Sequence, residues 1–307
     1  MTNTTELSNQ SRVSISELVP DKDKAKLVIS LDSQILSKIQ TCGQQAAYAH
    51  INSIEPVDYT AEALEVGLLM HEMLAEYYRY KHAEPTNIVT AKALSRGEAF
   101  AATRPGITHP MMNECADAFG QYVRKYINET WEVIRDTNGN PLVEQTFTKT
   151  LFEDEDIKIL YIGITDLIVK ASSDQQIMLP VDHKTFGSYY KAAILSNQFS
   201  GYIWATNAKN LIVNRVGVRS KLGNFERVVV SRTPAQTEEW KRNAIRSVLA
   251  HLDDMFTGDF RRNYEACTMY GGCRFARLCG ADPSHRKYLI ESEYKYVEPW
   301  DPITARE

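Results

Sequence analysis

Apolar positions recur at helical spacing over the first part of the chain and run in alternating or continuous strand-like stretches through its middle. Leu31 to about Ser53 reads as a helix with Ser33 near its cap, and Pro56 breaks it. Ala61 to His82 is rich in Leu, Met, Ala and Glu and predicts a second helix. Residues 83–110 hold Pro85, Pro105 and Pro110 and are expected to contain irregular connections. Met111 to about Arg135 reads as a further helix, and Thr137-Asn-Gly-Asn-Pro141 as a turn cluster. The texture then changes. Val143–Leu151 predicts a strand, and Lys158–Ala171 and Gln176–Phe186 predict two more around the polar turn Ser172-Ser-Asp174. Tyr189–Asn207 reads as a helix, and Leu211–Arg219 with Phe225–Arg232 as a hairpin around Gly223-Asn224. Thr233, Pro234 and Gln236 form the start of a helix to about Phe256: an N-cap, a first-turn proline and a capping box. Loop-rich sequence follows. Residues 1–30 are polar and expected to be peripheral, though Ala25–Ser30 suits a short strand. Helices before and after a mixed sheet predict an α/β core flanked by helices.

The chain has 307 residues, enough to bury roughly 75% of its unfolded surface. Its 35 Lys+Arg against 39 Asp+Glu exclude binding to nucleic acid by bulk charge alone. Basic residues are nevertheless concentrated late. Lys209, Arg215, Arg219, Lys221, Arg227 and Arg232 form one stretch, and Arg261, Arg262, Arg274 and Arg277 lie around the cysteines. Either group can track a phosphate backbone or lie on a solvated strand face. The N-terminus lacks the basic-then-apolar pattern of a secretory signal, and no run is long enough to span a membrane. The expected setting is a reducing compartment, where clustered cysteines bind metal more often than they pair.

The most informative segment is Gly163-Ile-Thr-Asp166, followed by Pro180-Val-Asp182-His183-Lys184-Thr. If the two strands fold back symmetrically around Asp174, Asp166 faces Asp182, and alternation puts Lys184 on the face of Asp182. Opposed carboxylates repel unless a cation lies between them. A divalent metal with oxygen ligands, Mg²⁺ or Mn²⁺, is one solution. Lys184 would then orient a water or stabilise developing negative charge. The alternative is a solvated face on which Lys184 neutralises one Asp. Both aspartates interrupt apolar strands, which favours a site.

His71 stands four residues after Gly67 on the second helix, and the pair shares a face. A mid-helix glycine often marks a close approach. The histidine reads either as packing or as a ligand. Gln198 and Tyr202 likewise share a helix face, as packing or as groups beside nucleic acid.

In this order and spacing the four motifs resemble the PD-(D/E)XK nuclease superfamily, specifically its RecB-like branch, over about residues 31–280. Thr165 stands before Asp166 where the superfamily motif has Pro, as is common in that branch. The resemblance implies a restriction-endonuclease-like mixed sheet flanked by helices. It implies that His71, Asp166, Asp182 and the His183 carbonyl bind Mg²⁺ or Mn²⁺. It implies that Lys184 serves the attacking water, with Asp166 and Asp182 also catalytic, and that Gln198 and Tyr202 lie along the DNA path. Glu144 falls on a strand where many members carry an acidic residue and is given less weight. Cys267, Cys273 and Cys279 form a C-x₅-C-x₅-C run, with Cys42 far upstream ahead of Tyr48. This is similar to the split arrangement of RecB-like nucleases with an iron–sulfur cluster, such as the AddB nuclease domain and CRISPR-associated adaptation nucleases. It implies a [4Fe–4S] cluster joining the N-terminal helices to a C-terminal cysteine-rich region. Zinc is the alternative, and four unrelated buried cysteines a third reading. Cys115 is expected to be plain core.

The expected organisation is a peripheral segment at 1–30, one nuclease domain at 31–285 and a tail at 286–307. Within the domain, 31–135 is mainly helical, 143–256 is the catalytic core and 257–285 the cysteine region. The expected function is a metal-dependent deoxyribonuclease, acting as an exonuclease in recombination, repair or phage or CRISPR-related processing. The expected location is the cytoplasm of a bacterium or of a phage's host. The substrate would be single-stranded or end-bearing duplex DNA, with recombination or CRISPR-adaptation proteins as partners. The alternatives are a DNA-binding or assembly subunit with a vestigial site, and a metalloenzyme acting on something other than nucleic acid.

Overall fold

In the computed structural model, which describes residues 26–59, 62–170, 177–186, 195–218, 225–269 and 272–302, the first helix opens at Asp32. Its carboxylate accepts the N–H groups of Gln34 and Ile35, each at 2.8 Å. This satisfies two donors that a helix start leaves unpaired. The helix, α1 (Ser33–Thr41), is thus capped one residue ahead of Ser33. It also stops short of the expected end. Cys42 is extended (φ −165°, ψ 113°), and single turns at Gly43–Ala46 and Ala47–Ile51 follow. The break brings Gly43 against other backbone: a Cβ there would lie 3.2 Å from the Arg261 carbonyl oxygen.

The chain divides into two compact units. One comprises Met1–Tyr59, Thr148–Gly163 and Glu238–Glu307, the other Thr60–Phe147 and Ile164–Thr237. In the second unit lie α2 (Glu62–Tyr80), α3 (Thr86–Ala102) and α4 (His109–Lys125). Helix α3 fills most of a stretch expected to hold irregular connections. Its prolines bound it rather than interrupt it: Pro85 takes the N-cap position, where a missing N–H costs nothing, and Pro105 lies beyond the end. Helix α4 ends at Lys125 rather than near Arg135. Its buried stripe of Met111, Cys115, Ala118, Phe119, Tyr122 and Val123 runs out there.

The strands of this unit are β3 (Glu132–Val133), the ends of β4 (Val143–Glu153) and β5 (Ile157–Lys170), β6 (Met178–Phe186), β7 (Asn210–Gly217) and β8 (Phe225–Ser231). β3 pairs with β5 and β5 with β6, both antiparallel; β6 pairs with β7 in parallel, and β7 with β8 antiparallel. The sheet is therefore mixed. The β5–β6 register sets Leu167 opposite Val181 and Lys170 opposite Met178. This is the register expected of a symmetric fold-back, from Lys170 as far as Leu167. One face, with Val181, Ile212 and Val216, packs against α2 and α4. The other, with Leu211, Val213 and Val230, packs against Phe199, Tyr202 and Ile203 of α5 (Asn197–Ala205). Cover on both faces explains why β7 is buried along almost its whole length. The turns expected at Ser172–Asp174 and Gly223-Asn224, and the first part of the helix expected from Tyr189, lie outside the described residues.

In the first unit β1 (Leu27–Leu31) runs parallel to the start of β5, from Leu27 opposite Ile157 to Leu31 opposite Tyr161. Helix α6 (Pro234–Thr257) begins with the expected capping box. The Thr233 N–H donates to Gln236 Oε1 at 2.9 Å, and the Gln236 N–H donates to Thr233 Oγ1 at 3.2 Å. Beyond it lie α7 (Ala276–Gly280), α8 (Arg286–Glu293) and β9 (Tyr294–Tyr296). Residues 286–296, expected within a tail, thus form a helix and a strand. β9 pairs antiparallel with β2 (Ile54–Pro56). The join is backed by Tyr48, Phe275 and Tyr294: the ring of Phe275 lies 5.3 Å from that of Tyr48 and 6.0 Å from that of Tyr294. Among the described residues no helix is long and apolar enough to cross a membrane.

Candidate active site

Gly67 sets the approach of α2 to β6: a Cβ there would lie 3.2 Å from Thr185 Oγ1. One turn later on the same helix face stands His71. Its Nε2 lies 3.0 Å from the His183 carbonyl oxygen and its Nδ1 3.4 Å from Asp166 Oδ1. Burial disfavours the imidazolium. The Asp166 charge and hydrogen bond, with the Glu144 charge, outweigh it and raise the His71 pKa. Burial likewise disfavours the Asp166 carboxylate, but the charge and hydrogen bond of His71 hold it well below the usual carboxylate range. The His183 backbone N–H donates to Asp166 Oδ2 at 2.6 Å.

Glu144 completes this group. His71, Glu144 and Asp166 each offer a ligand atom, and the three atoms lie within 4.8 Å of one another. Glu144 has a left-handed backbone (φ 52°) inside β4. Such a conformation in a non-glycine residue costs about 1–3 kcal/mol and gathers at functional sites. Its carboxylate joins His71 and Asp166 in this group. The only signal in the sequence was an acidic residue on a strand. The left-handed turn that aims it has no signature there.

Asp182 is 1% exposed, and its Oδ2 lies 2.7 Å from Lys184 Nζ, whose side chain is 29% exposed. Burial and the nearby Asp166 charge push the Asp182 pKa up against the pull of Lys184. Asp182 and Lys184 share a sheet face, as alternation requires. Val213, opposite Asp182, packs against α5 on that face.

On α5 the Gln198 side-chain amide donates to the Tyr202 hydroxyl at 3.1 Å. The Tyr202 ring is 5% exposed and meets Phe147 edge to face. Gln198, at the half-buried start of the helix, is the more accessible of the two.

The basic stretch of β7 and β8 is turned inward, contrary to a role in tracking phosphates. Arg215 is buried and pairs with Glu226, Arg227 pairs with Glu129, and buried Arg232 donates to Ser200 Oγ at 3.0 Å. The helices covering both sheet faces bury Arg215 and Arg232 and leave Arg227 half-buried. Lys209 is exposed, whereas Arg219 and Lys221 lie outside the described residues. Near the cysteines Arg261 pairs with Asp254 and Arg277 with Glu293.

Cys42, Cys267, Cys273 and Cys279 all belong to the first unit, and all are half-buried free thiols. The Cys273 N–H donates to the Cys267 carbonyl at 2.9 Å, closing the loop between them. The Asn263 N–H donates to Cys42 Sγ at 3.5 Å. Burial raises the pKa of Cys273 and Cys279, and the charges of the other cysteines of the four add to it. Cys115 is buried in the core of the second unit.

No curated protein matches the sequence. Among solved structures, the chain is similar to a putative exonuclease from Eubacterium rectale, with 12% identity, a TM-score of 0.44, and coverage of 81% of this chain and 88% of that one. It is also similar to an alkaline exonuclease from Laribacter hongkongensis, with 10% identity, a TM-score of 0.31, and coverage of 64% and 94%. The profile of the PD-(D/E)XK nuclease superfamily matches residues 33–280, well over half of the chain. With that match spanning His71, Glu144, Asp166, Asp182 and Lys184, the chain belongs to the PD-(D/E)XK nuclease superfamily.

Proposed function

We propose that the protein is a metal-dependent deoxyribonuclease of the RecB-like branch, hydrolysing phosphodiester bonds as an exonuclease in recombination, repair or phage or CRISPR-related processing. The convergence of His71, Glu144 and Asp166 carries this reading. Imidazole nitrogen and carboxylate oxygen are the donors that Mn²⁺ and Mg²⁺ sites use. The His183 carbonyl, 3.0 Å from His71 Nε2, is a further donor. A divalent ion bound there supplies Lewis-acid polarisation of a phosphoryl oxygen and a lowered pKa for bound water.

The chain's own residues do the rest. Lys184 presents an ammonium with three donors to an attacking water or to a phosphoryl oxygen gaining charge. Asp182 holds that ammonium in place from beneath. The His183 N–H and His71 fix the orientation of Asp166. Gln198, on the helix that covers the Asp182 face, directs an amide along the path of the strand. The test is cleavage of end-labelled single- and double-stranded DNA with Mg²⁺ and with Mn²⁺. Metal-dependent release of nucleotides from an end is expected. No cleavage with either ion would overturn the reading.

We also infer that Cys42, Cys267, Cys273 and Cys279 bind a [4Fe–4S] cluster. Four thiolates are the donor set of such a cluster, and the four cysteines lie in one compact unit as half-buried thiols. Protein purified without oxygen is expected to be brown and to absorb broadly near ~400 nm. A colourless protein with stoichiometric zinc would assign the site to Zn²⁺ instead.

A further inference from the structure

Behind the site, three neighbouring strands carry a row of polar side chains that the proposed chemistry does not use. His183 of β6 is registered with Asn214 of β7, and Asn214 with Arg227 of β8. Alternation puts all three on the face covered by α2 and α4. Asn214 and the His183 side chain are fully buried there, so their polar atoms must find partners within the protein.

Those partners form a closed set. The Asn214 amide nitrogen lies 2.8 Å from His183 Nδ1 and 2.9 Å from the Tyr122 hydroxyl. An amide nitrogen only donates, so His183 Nδ1 accepts and the ring's proton sits on Nε2. The Asn214 orientation is set from its other end, where Oδ1 accepts from Arg227 Nε at 3.4 Å. The Arg227 terminal nitrogen also donates to Tyr122 at 3.2 Å and to Tyr78 at 3.3 Å. The Tyr122 oxygen thus accepts twice, and its own proton goes to the Tyr78 hydroxyl 2.7 Å away. The Tyr78 ring then stacks on the His183 ring, with centroids 5.8 Å apart and planes 21° apart. His71 closes the far side, edge-on at 5.9 Å.

His183 is therefore held at its ring nitrogen and on its ring face. Its backbone bears on both His71, through the carbonyl, and Asp166, through the N–H. We propose that Tyr122, Asn214 and Arg227 are positioning residues that act through His183 on the metal-binding arrangement of His71 and Asp166. The proposal rests on the metal-dependent nuclease reading above and deepens it. Tyr122 is the node whose removal is gentlest, because Tyr122→Phe keeps the buried ring and deletes one oxygen that serves three partners.

The experiment titrates Mn²⁺ into wild type and Tyr122→Phe by calorimetry and measures DNA cleavage against Mn²⁺ concentration for both. Removing an outer-shell partner of a metal ligand typically weakens metal binding about 10–100-fold. A shift of that size is expected in both the Mn²⁺ dissociation constant and the half-saturating Mn²⁺ for cleavage. The lost cleavage should return at high Mn²⁺, which a merely destabilised fold would not show. Arg227→Lys serves as a second variant should Tyr122→Phe fail to fold. Unchanged Mn²⁺ affinity in a folded variant overturns the proposal. Wild type that binds Mn²⁺ without cutting DNA overturns the nuclease reading alone, while the shift in affinity still decides the positioning role. Wild type that binds no Mn²⁺ overturns both.

Discussion

Asp182→Asn is expected to lower metal-dependent DNA cleavage by about 10²–10³-fold or more, while leaving the metal-free protein at least as stable as wild type at neutral pH. The two effects have one cause. The Asp182 carboxylate is 1% exposed and lies within reach of the charge of a second carboxylate, Asp166. Its pKa is raised by burial and by that neighbour. A carboxylate whose folded pKa lies above its unfolded value destabilises the fold once it ionises. The penalty is absent below the unfolded value of 3.8 and grows as pH rises through the folded value. Asparagine removes that charge at nearly constant volume. Lys184 then loses its partner but reaches water through its exposed portion. Cleavage falls because Lys184 is no longer fixed and the site has lost one negative charge. Thermal melts of both proteins at pH 7 and below pH 4, with single-turnover cleavage at pH 7, check this. Undiminished cutting would remove Asp182 from the mechanism. A marked loss of stability at pH 7 would show that the pair with Lys184 outweighs burial.

Arg227→Ala is expected to give the largest loss of stability of any single substitution in the basic stretch of β7 and β8, about 3–5 kcal/mol. The side chain is not at the surface. Its guanidinium lies 3.6 Å from the ring centroid of Tyr126 and 3.5 Å from that of Trp131. It also pairs with Glu129, which is 3% exposed. Deleting it empties a flat aromatic slot and leaves a buried carboxylate with Lys81 as its remaining cationic partner. Urea unfolding followed by tryptophan fluorescence would show a lower midpoint at a similar slope. Lys209, exposed at the start of the same stretch, supplies the control: Lys209→Ala should stay within about 0.5 kcal/mol of wild type.

The contrast between Arg227 and Lys209 shows what a sequence leaves out. Both belong to one basic stretch, and nothing in their spacing says that one is sandwiched between rings and the other exposed. Burial depends on the helices laid over β7 and β8, and these come from distant parts of the chain. The same holds for Glu144. Its residue type is visible, but the left-handed backbone that accompanies its approach to His71 and Asp166 is not. Helix α3 was obscured for a different reason: prolines at its borders look like breakers until one sees that they mark its ends. The break at Cys42 likewise lacks a local signal, since Gly43 is accommodated against Arg261 from far along the chain.

Local chemistry determined much of the remainder. Alternation set the β5–β6 register, because a slip of one residue would carry Leu167, Val169 and Val181 to the opposite sheet face. The Thr233–Gln236 box set the start of α6, and Gly67 marked the close approach of α2 to β6. These rest on interactions within a few residues or on a period of two, so the sequence by itself contains them. The tertiary structure alone decided which charges meet: that Glu144 comes within reach of His71 and Asp166, and that Arg227 donates to Asn214 beside His183. Electrostatic partners are chosen by distance in space and by exclusion of water, and neither is written in the order of residues along a chain.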